Sequence, residues 1–335
     1  MKKILFIFVL FFYINVNASI VVMDADSGRV LYSKDMNERK LIASTSKIMT
    51  SIIALENGNL NDKYIVGNEI KKVNGSMIYV HEGEEFTLND LLHGLMLQSG
   101  NDAAMIISKN VMKYDNFIAQ MNIKAYKLGM YNTSFENPHG LNDDTKNYST
   151  AYDISLLMKY AIKNKDFIRI TSTKKYKVNN YIWYNKNKLL SDYKYLISGK
   201  IGYTKASGQV FVSAAKKDNK TIVIATIDES DKFNLHKKLY EKYFNEYKKY
   251  TILNKNNFSY KIKDKNNNYY YINNNYSILL KENEINKIKV RININDYFNY
   301  AEVYFEDKLI HNEKIYYESY IERKNKIKEL LSFFK

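Results

Sequence analysis

Ser44 and Lys47 stand three residues apart in the run Ser44-Thr45-Ser46-Lys47. On a helix, positions i and i+3 share a face, so the Lys47 amine can reach the Ser44 hydroxyl. A serine hydroxyl is a weak nucleophile until a nearby base takes its proton, and a lysine becomes such a base when burial or a neighbouring cation lowers its pKa. At the start of a helix, backbone N–H groups beside the serine can also hold an oxyanion. Taken alone, the pair reads better as a capped helix with a solvated lysine, since serine and lysine are common. Two more clusters follow along the chain, Ser99-Gly100-Asn101 and Lys200-Ile201-Gly202, the latter running into Tyr203-Thr204. Each is short and common by itself. Their order, with the first on a helix and the third leading into a strand, is what makes coincidence improbable.

The elements that must carry these clusters can be read from periodicity. Ser46 to Leu55 predicts a mostly buried helix through Ile48, Met49, Ile52, Ile53 and Leu55. Leu88 to Met96 and Ala103 to Val111 predict further helices. Thr87, with Asp90 three residues on, reads as a helix cap. Ser19 to Asp24 is a short apolar strand, Asp26-Ser27-Gly28 a turn, and Arg29 to Ser33 its hairpin partner. Gln209 to Ala215 and Lys220 to Ile227 alternate as two strands around Lys217-Asp218-Asn219. From about 251 to 318 the chain reads as β-rich. Ile288, Val290, Ile292 and Ile294 fall on one strand face, and Ala301 to Phe305 and Leu309 to Tyr317 flank a turn at Glu306-Asp307-Lys308. The run 266–276 is almost all Asn and Tyr and reads equally as low complexity or as a strand with polar turns. No motif for chemistry stands in this part.

The ordered set Ser-x-x-Lys, Ser-x-Asn, Lys-x-Gly is that of penicillin-binding proteins and class A β-lactamases. The sequence resembles the low-molecular-mass D-alanyl-D-alanine carboxypeptidases among them over about residues 20 to 245. The resemblance is carried by Met23 to Leu31, Ala43 to Thr50, Leu97-Gln98-Ser99-Gly100-Asn101-Asp102-Ala103 and Asn137-Pro138-His139-Gly140-Leu141, which holds the chain's one proline. It implies an α/β (α+β) fold, a β-lactamase/transpeptidase-like domain of antiparallel sheet and helical subdomain. A small β-rich domain and a C-terminal amphipathic helix would follow. The expected boundaries are 1–18 for a signal peptide, 19–250 for the catalytic domain, 251–318 for the β-rich domain and 319–335 for the basic helix.

The resemblance also implies roles. Ser44 would attack the carbonyl of the penultimate D-Ala of a peptidoglycan stem peptide, with Lys47 taking its proton. Ser99 would relay a proton to the leaving amine, tuned by Lys200, and Asn101 would hold the substrate amide. The backbone N–H groups of Ser44 and Tyr203 would form the oxyanion hole, with Gly202 in the strand that presents them. β-Lactams would acylate Ser44 as covalent inhibitors. One departure matters: the third motif usually has Thr or Ser where this chain has Ile201, so the hydroxyl that would bind the substrate's terminal carboxylate is missing. The family's arginine for that carboxylate has Lys232 as its nearest counterpart, which supplies charge without a bidentate fork. A D,D-endopeptidase on crosslinked peptidoglycan, a β-lactamase and a catalytically weakened wall-binding homologue stay open as alternatives.

Charge and termini bound the surroundings. The formal charge is +15, but the lysines are spread along the whole chain and no nucleic-acid motif accompanies them. Anionic lipid and wall polymers are the expected polyanions. Lys2 and Lys3 precede an apolar run from Ile4 to Ile14 and the small-residue site Val16-Asn17-Ala18, the pattern of an export signal cleaved before Ser19. An uncleaved anchor is the alternative. The expected location is extracytoplasmic or periplasmic, peripheral on the outer face of the cytoplasmic membrane. Tyr320 to Lys335 reads as a basic amphipathic helix, with Tyr320, Ile327, Leu331 and Phe334 on one face. It is either an anchor on anionic membrane or a terminal helix packed on its own domain. There is no cysteine, and none of the five histidines has a zinc-ligand spacing, so no metal or cofactor is expected. His139 reads as a residue that shapes its turn, and Asp102 as support for the start of the following helix.

Overall fold

The run Ser19–Asp24 forms β1 and is buried along its whole length, as the unbroken apolar sequence Ile20-Val21-Val22-Met23 requires. The computed structural model describes residues 18–258, 269–294, 299–319 and 322–325. Within them the chain forms two units. The first holds residues up to 23, 30–217 and 221–240, and the second holds 24–29, 218–220 and the chain from 241.

The first unit is built on a five-stranded sheet. Its strands are β1, β2 (Val30–Lys34), β3 (Leu196–Thr204), β4 (Gly208–Lys217) and β5 (Lys220–Ile227), in the order β2-β1-β5-β4-β3. β3 is therefore an outer strand. It pairs antiparallel with β4, with Ile201 opposite Phe211 and Gly202 opposite Val210. The two predicted strands after Tyr203 are β4 and β5, and the turn between them puts Asp218 in the left-handed region at φ 55°.

The longer helices among the described residues of this unit frame the sheet and the site: α1 (Lys47–Asn57), α2 (Leu88–His93), α3 (Asn101–Asn110), α4 (Tyr114–Lys127), α5 (Ala151–Ala161), α6 (Lys165–Ser172) and α7 (Lys232–Glu246). The predicted helix after Ser46 is α1. Ile48, Met49, Ile52, Ile53 and Ala54 are all buried, and so are Thr50 and Ser51 on its other sides. A helix covered all round is central to its domain, and each buried isoleucine stabilises it by about 1.5–3 kcal/mol. That rigidity matters because Lys47 is its first residue.

α2 begins with the predicted cap. Thr87 Oγ1 accepts from the Asp90 N–H at 3.1 Å, and the Asp90 carboxylate accepts from the Thr87 N–H at 2.9 Å. Thr87→Ala is expected to lower stability by about 1 kcal/mol, read as a lower thermal midpoint. The predicted helix to Met96 is cut short. Gly94–Gln98 widens into a π turn in which the Ser99 N–H reaches back to the Gly94 carbonyl, and Ser99 itself sits at φ 65°. The periodic apolar pattern continues through this turn, which is why periodicity alone does not reveal it.

α7 packs on one face of β4. Phe211 meets Phe233 edge-on, with centroids 5.3 Å apart. Buried His236 lies between Ser213 Oγ at 2.8 Å and Thr226 Oγ1 at 3.1 Å, and the Tyr240 hydroxyl reaches Ser213 at 2.7 Å. Burial holds His236 well below its ordinary pKa, so it is neutral.

In the second unit, β6 (Lys248–Leu253) pairs with β8 (Tyr276–Leu280), and a four-stranded sheet runs β7-β11-β10-β9, with β7 Tyr269–Ile272, β9 Ile288–Ile294, β10 Asn299–Phe305 and β11 Lys308–Glu318. Its core includes Leu253, Phe258, Tyr270, Ile278, Ala301 and Val303. The Arg29 guanidinium grips the Glu284 carboxylate at 2.6 and 2.9 Å, and buried Asp24 accepts from the Leu279 N–H at 3.0 Å. The alternation predicted for Ile288 to Ile294 is present, but Val290 and Ile292 are 44% and 42% exposed. Ile288 at the start of this outer strand packs against the core, while Val290, Ile292 and Ile294 further along the same face stay exposed. The predicted leader, apart from Ala18, lies outside the described residues. So do Tyr320, Ile321 and 326–335 of the predicted terminal helix, while Glu322–Asn325 are helical. No helix among the described residues is long and apolar enough to cross a membrane.

Candidate active site

Ser44 lies in a tight 3₁₀ turn, Ala43–Ser46, that leads directly into α1. The turn is strained: Ala43 has φ 45°, in the left-handed region that costs a non-glycine residue about 1 kcal/mol or more. Two glycines make room for it. Gly140 has φ 89°, and a Cβ there would lie 1.9 Å from the Ala43 carbonyl oxygen. A Cβ on Gly202 would lie 3.0 Å from the Ser44 nitrogen and 3.1 Å from the Ile42 carbonyl. The loop 137–141 and strand β3 therefore press on the Ser44 turn from close range, and only glycine fits without displacement.

Lys47 is fully buried. Its Nζ is 2.9 Å from Ser44 Oγ, 2.7 Å from Asn101 Oδ1 and 2.5 Å from the His139 carbonyl. Burial first, and the charge of Lys200 second, hold its ammonium well below the usual lysine pKa, with a smaller push from Lys186, while Asp102 opposes them. A neutral amine has two N–H groups and one lone pair. Asn101 Oδ1 and the His139 carbonyl suit the two donors, which leaves the lone pair for the Ser44 hydroxyl.

The second and third clusters meet one another. Lys200 Nζ donates to Ser99 Oγ at 3.0 Å and to its neighbour's carbonyl, that of Ile201, at 2.8 Å. Burial, then the charge of Lys186, bring Lys200 down to about 7. Asn101 is fixed from three sides: its Oδ1 by Lys47, its Nδ2 by the Asn74 carbonyl at 2.5 Å and its N–H by the Ser76 carbonyl at 2.7 Å. Direct hydrogen bonds thus join Ser44, Lys47 and Asn101 into one group and Ser99 and Lys200 into another. Gly202 packs on the Ser44 turn. Tyr203 is 61% exposed at the outer strand.

Alternation along β3 divides the third cluster. Lys200 and Gly202 face Ser99 and the Ser44 turn. Ile201 and Tyr203 take the opposite face, with Phe211 and Gln209 across the strand. Lys232 lies on that same face, its Nζ 2.7 Å from Gln209 Oε1.

The loop at Pro138 is the part of the site that sequence reasoning described least. Asn137 Oδ1 accepts from the Gly140 N–H at 2.6 Å, and its Nδ2 donates to the Leu141 carbonyl at 3.0 Å and to Thr145 Oγ1 at 2.8 Å. Asn147 in turn holds Glu136 N–H and Asn137 carbonyl at 2.8 Å each. The Thr50 hydroxyl ties the Pro138 carbonyl to α1 at 2.6 Å. His139 shapes this loop: its Nδ1 accepts from the Leu141 N–H at 3.1 Å. Burial, and then Lys47, push its pKa down to about 3, so it stays neutral. Asp102 does more than serve its own helix. Its carboxylate accepts from Ala103 N–H at 2.9 Å and also from Ile78 and Tyr79 N–H at 3.0 Å, tethering the segment whose carbonyls hold Asn101.

Residues 15–231 match the family described as D-alanyl-D-alanine carboxypeptidase. The chain is 31% identical over 297 residues to the D-alanyl-D-alanine carboxypeptidase DacF of Bacillus subtilis, covering 83% of this chain and 76% of that protein. It is 34% identical over 210 residues to DacB2 of Mycobacterium tuberculosis, covering 61% and 72%. Among solved structures, a D-alanyl-D-alanine carboxypeptidase from Mycobacterium tuberculosis superposes with a TM-score of 0.65 at 31% identity, over 68% of this chain and 90% of that one. Penicillin-binding protein 6B of Escherichia coli gives a TM-score of 0.70 at 24% identity over 88% and 93%, a likeness of fold.

Proposed function

The chain belongs to the D-alanyl-D-alanine carboxypeptidase family of serine peptidases, and from that membership we propose how its own residues carry the reaction. Ser44 attacks the carbonyl of the penultimate D-Ala of a peptidoglycan stem pentapeptide. Neutral Lys47 takes the Ser44 proton. The amide bond to the terminal D-Ala breaks, and its nitrogen receives a proton from Ser99 Oγ, which Lys200 replaces. Water then hydrolyses the acyl-enzyme on Ser44. Asn101 holds the substrate amide, and the N–H groups of Ser44 and Tyr203 face the oxyanion, on a strand kept close by Gly202. A β-lactam acylates the same hydroxyl and stalls.

The observation that carries this reading is the direct hydrogen bonding of Lys47 to both Ser44 and Asn101, beside the Ser99–Lys200 pair. The low pKa of Lys47 supports its part as base, since a cationic lysine has no lone pair to offer. The test is product analysis: wild-type protein with a soluble stem pentapeptide is expected to release free D-Ala and leave the tetrapeptide. Acylation by a penicillin without any D-Ala release would sink the carboxypeptidase reading and favour a catalytically weakened wall-binding homologue.

The domain boundaries are part of the proposal: a catalytic domain over 19–250 and a β-rich domain over 251–318. So is export by the leader 1–18, which would deliver the protein to its wall substrate on the outer side of the cytoplasmic membrane. The segment 320–335 carries a net charge of +3 beside its apolar residues, a composition suited to an anionic membrane surface. Deleting it is expected to weaken binding of the mature protein to vesicles containing phosphatidylglycerol while leaving turnover of soluble pentapeptide nearly intact. Equal sedimentation of both forms with vesicles would rule the anchor out.

A further inference from the structure

Lys186 has no part in the reading above, yet it touches the turn that carries Ser99. Its backbone N–H donates to the Leu97 carbonyl at 3.1 Å, and its Nζ donates to the Gln98 carbonyl at 2.8 Å. These are the last two carbonyls of the π turn, groups that a helix end leaves without partners of its own. Ser99 follows immediately in the left-handed region at φ 65°. A serine there has no intrinsic reason to stay, so its neighbours must hold it. The residue after Lys186 packs against β3 one position before Lys200. A Cβ on Gly199, next to Lys200, would lie 2.7 Å from Asn187 Nδ2. The segment 186–187 thus braces both Ser99 and the strand that brings Lys200 to it.

Lys186 also brings charge. It is a cation that acts on both buried lysines, Lys200 and Lys47. The other groups acting on Lys47 are Lys200, of the same sign, and the Asp102 carboxylate, of the opposite sign, while His139 beside it is neutral. Lys200 feels Lys186 as its neighbouring charge.

We propose that Lys186 is a positioning residue of the reaction: it holds the left-handed turn that presents Ser99 to Lys200, and it sets a positive charge on the residue before Ser99, beside the buried lysines. The inference rests on the proposed roles of Ser44, Lys47, Ser99 and Lys200. Its consequence has a definite sign. Removing a nearby positive charge raises the pKa of both lysines. Less Lys47 is then neutral at a given pH, so the acid limb of the acylation profile moves to higher pH. A partly solvated charge near a buried group shifts it by about half a pH unit to one unit.

The experiment measures the second-order rate of penicilloyl-adduct formation against pH for wild type, Lys186→Met, Lys186→Gln and Lys186→Arg, with thermal midpoints alongside. Lys186→Met is expected to slow acylation and move the acid-limb midpoint up by about half a unit or more. Lys186→Gln, which keeps a donor for the Gln98 carbonyl but not the charge, is expected to show the same shift with less loss of rate. Lys186→Arg is expected to restore the midpoint. A Met variant slowed by the same factor at every pH would make Lys186 a scaffold residue and overturn the charge. An Arg variant shifted as far as Met, or a Gln variant with the wild-type midpoint, would overturn it too. Unchanged rates in all three would remove Lys186 from the reaction. Because the readout is acylation, a wild-type protein that binds penicillin but releases no D-Ala would count against the carboxypeptidase reading alone.

Discussion

Ser44→Ala is expected to abolish both penicilloyl-adduct formation and D-Ala release, a loss of roughly 10⁴-fold or more of the kind seen when a nucleophile is removed from a coupled catalytic unit. The fold should survive the change. Lys47 Nζ keeps Asn101 Oδ1 at 2.7 Å and the His139 carbonyl at 2.5 Å, so the buried amine is not left without partners. The Ala43 carbonyl accepts from the Ser46 hydroxyl at 2.9 Å, a bond that does not involve the Ser44 side chain. Intact-mass spectrometry after exposure to a penicillin, with peptide mapping and a thermal unfolding curve, decides the matter. An adduct persisting on the folded Ser44→Ala protein would move the nucleophile elsewhere, Ser99 being the next hydroxyl hydrogen-bonded to a lysine.

Residues close in sequence and elements with clean periodicity could be read before any coordinates. Ser44 and Lys47 meet because three residues is one helical turn. The pairing of β4 with β5 follows from two alternating runs around Lys217-Asp218-Asn219. The link from Lys47 to Asn101 and from Ser99 to Lys200 spans 54 and 101 residues, and only the family resemblance suggested it. What the sequence hid depends on distance in space. Nothing local marks Gly140 as the residue whose missing Cβ admits the Ala43 carbonyl. Lys186 looks like any surface lysine in a lysine-rich chain, because its partner is a main-chain carbonyl 88 residues away. The π turn before Ser99 has the apolar pattern of an ordinary helix. The stripe from Ile288 to Ile294 marks a further limit: alternation establishes which residues share a face, not whether anything covers that face.

Ile201→Thr is expected to raise kcat/KM on a soluble pentapeptide by roughly ten- to a hundred-fold. A carboxylate held by a hydroxyl beside a cation gains a charge-assisted hydrogen bond of about 1.5–3 kcal/mol, and transition-state binding converts that energy directly into rate. The strand can accept the change. Ile201 is only half-buried and alternates with Lys200 and Gly202, so neither the Lys200–Ser99 bond nor the close approach of Gly202 to the Ser44 turn is disturbed. The new hydroxyl would stand on the face that carries Lys232, whose Nζ now rests on Gln209 Oε1 at 2.7 Å and would be the cation at hand for a terminal carboxylate. An opposing account is that Ile201 suits a substrate without a free carboxylate at this point, as in a crosslinked peptide. Under that account Ile201→Thr leaves cleavage of a crosslinked muropeptide dimer unchanged or slower, and wild type prefers the dimer to the pentapeptide. Measuring kcat/KM of both proteins on both substrates separates the two, since the first account requires the gain to be confined to the free-carboxylate peptide. A folded Ile201→Thr protein no faster than wild type on the pentapeptide would show that the missing hydroxyl is not what limits this enzyme.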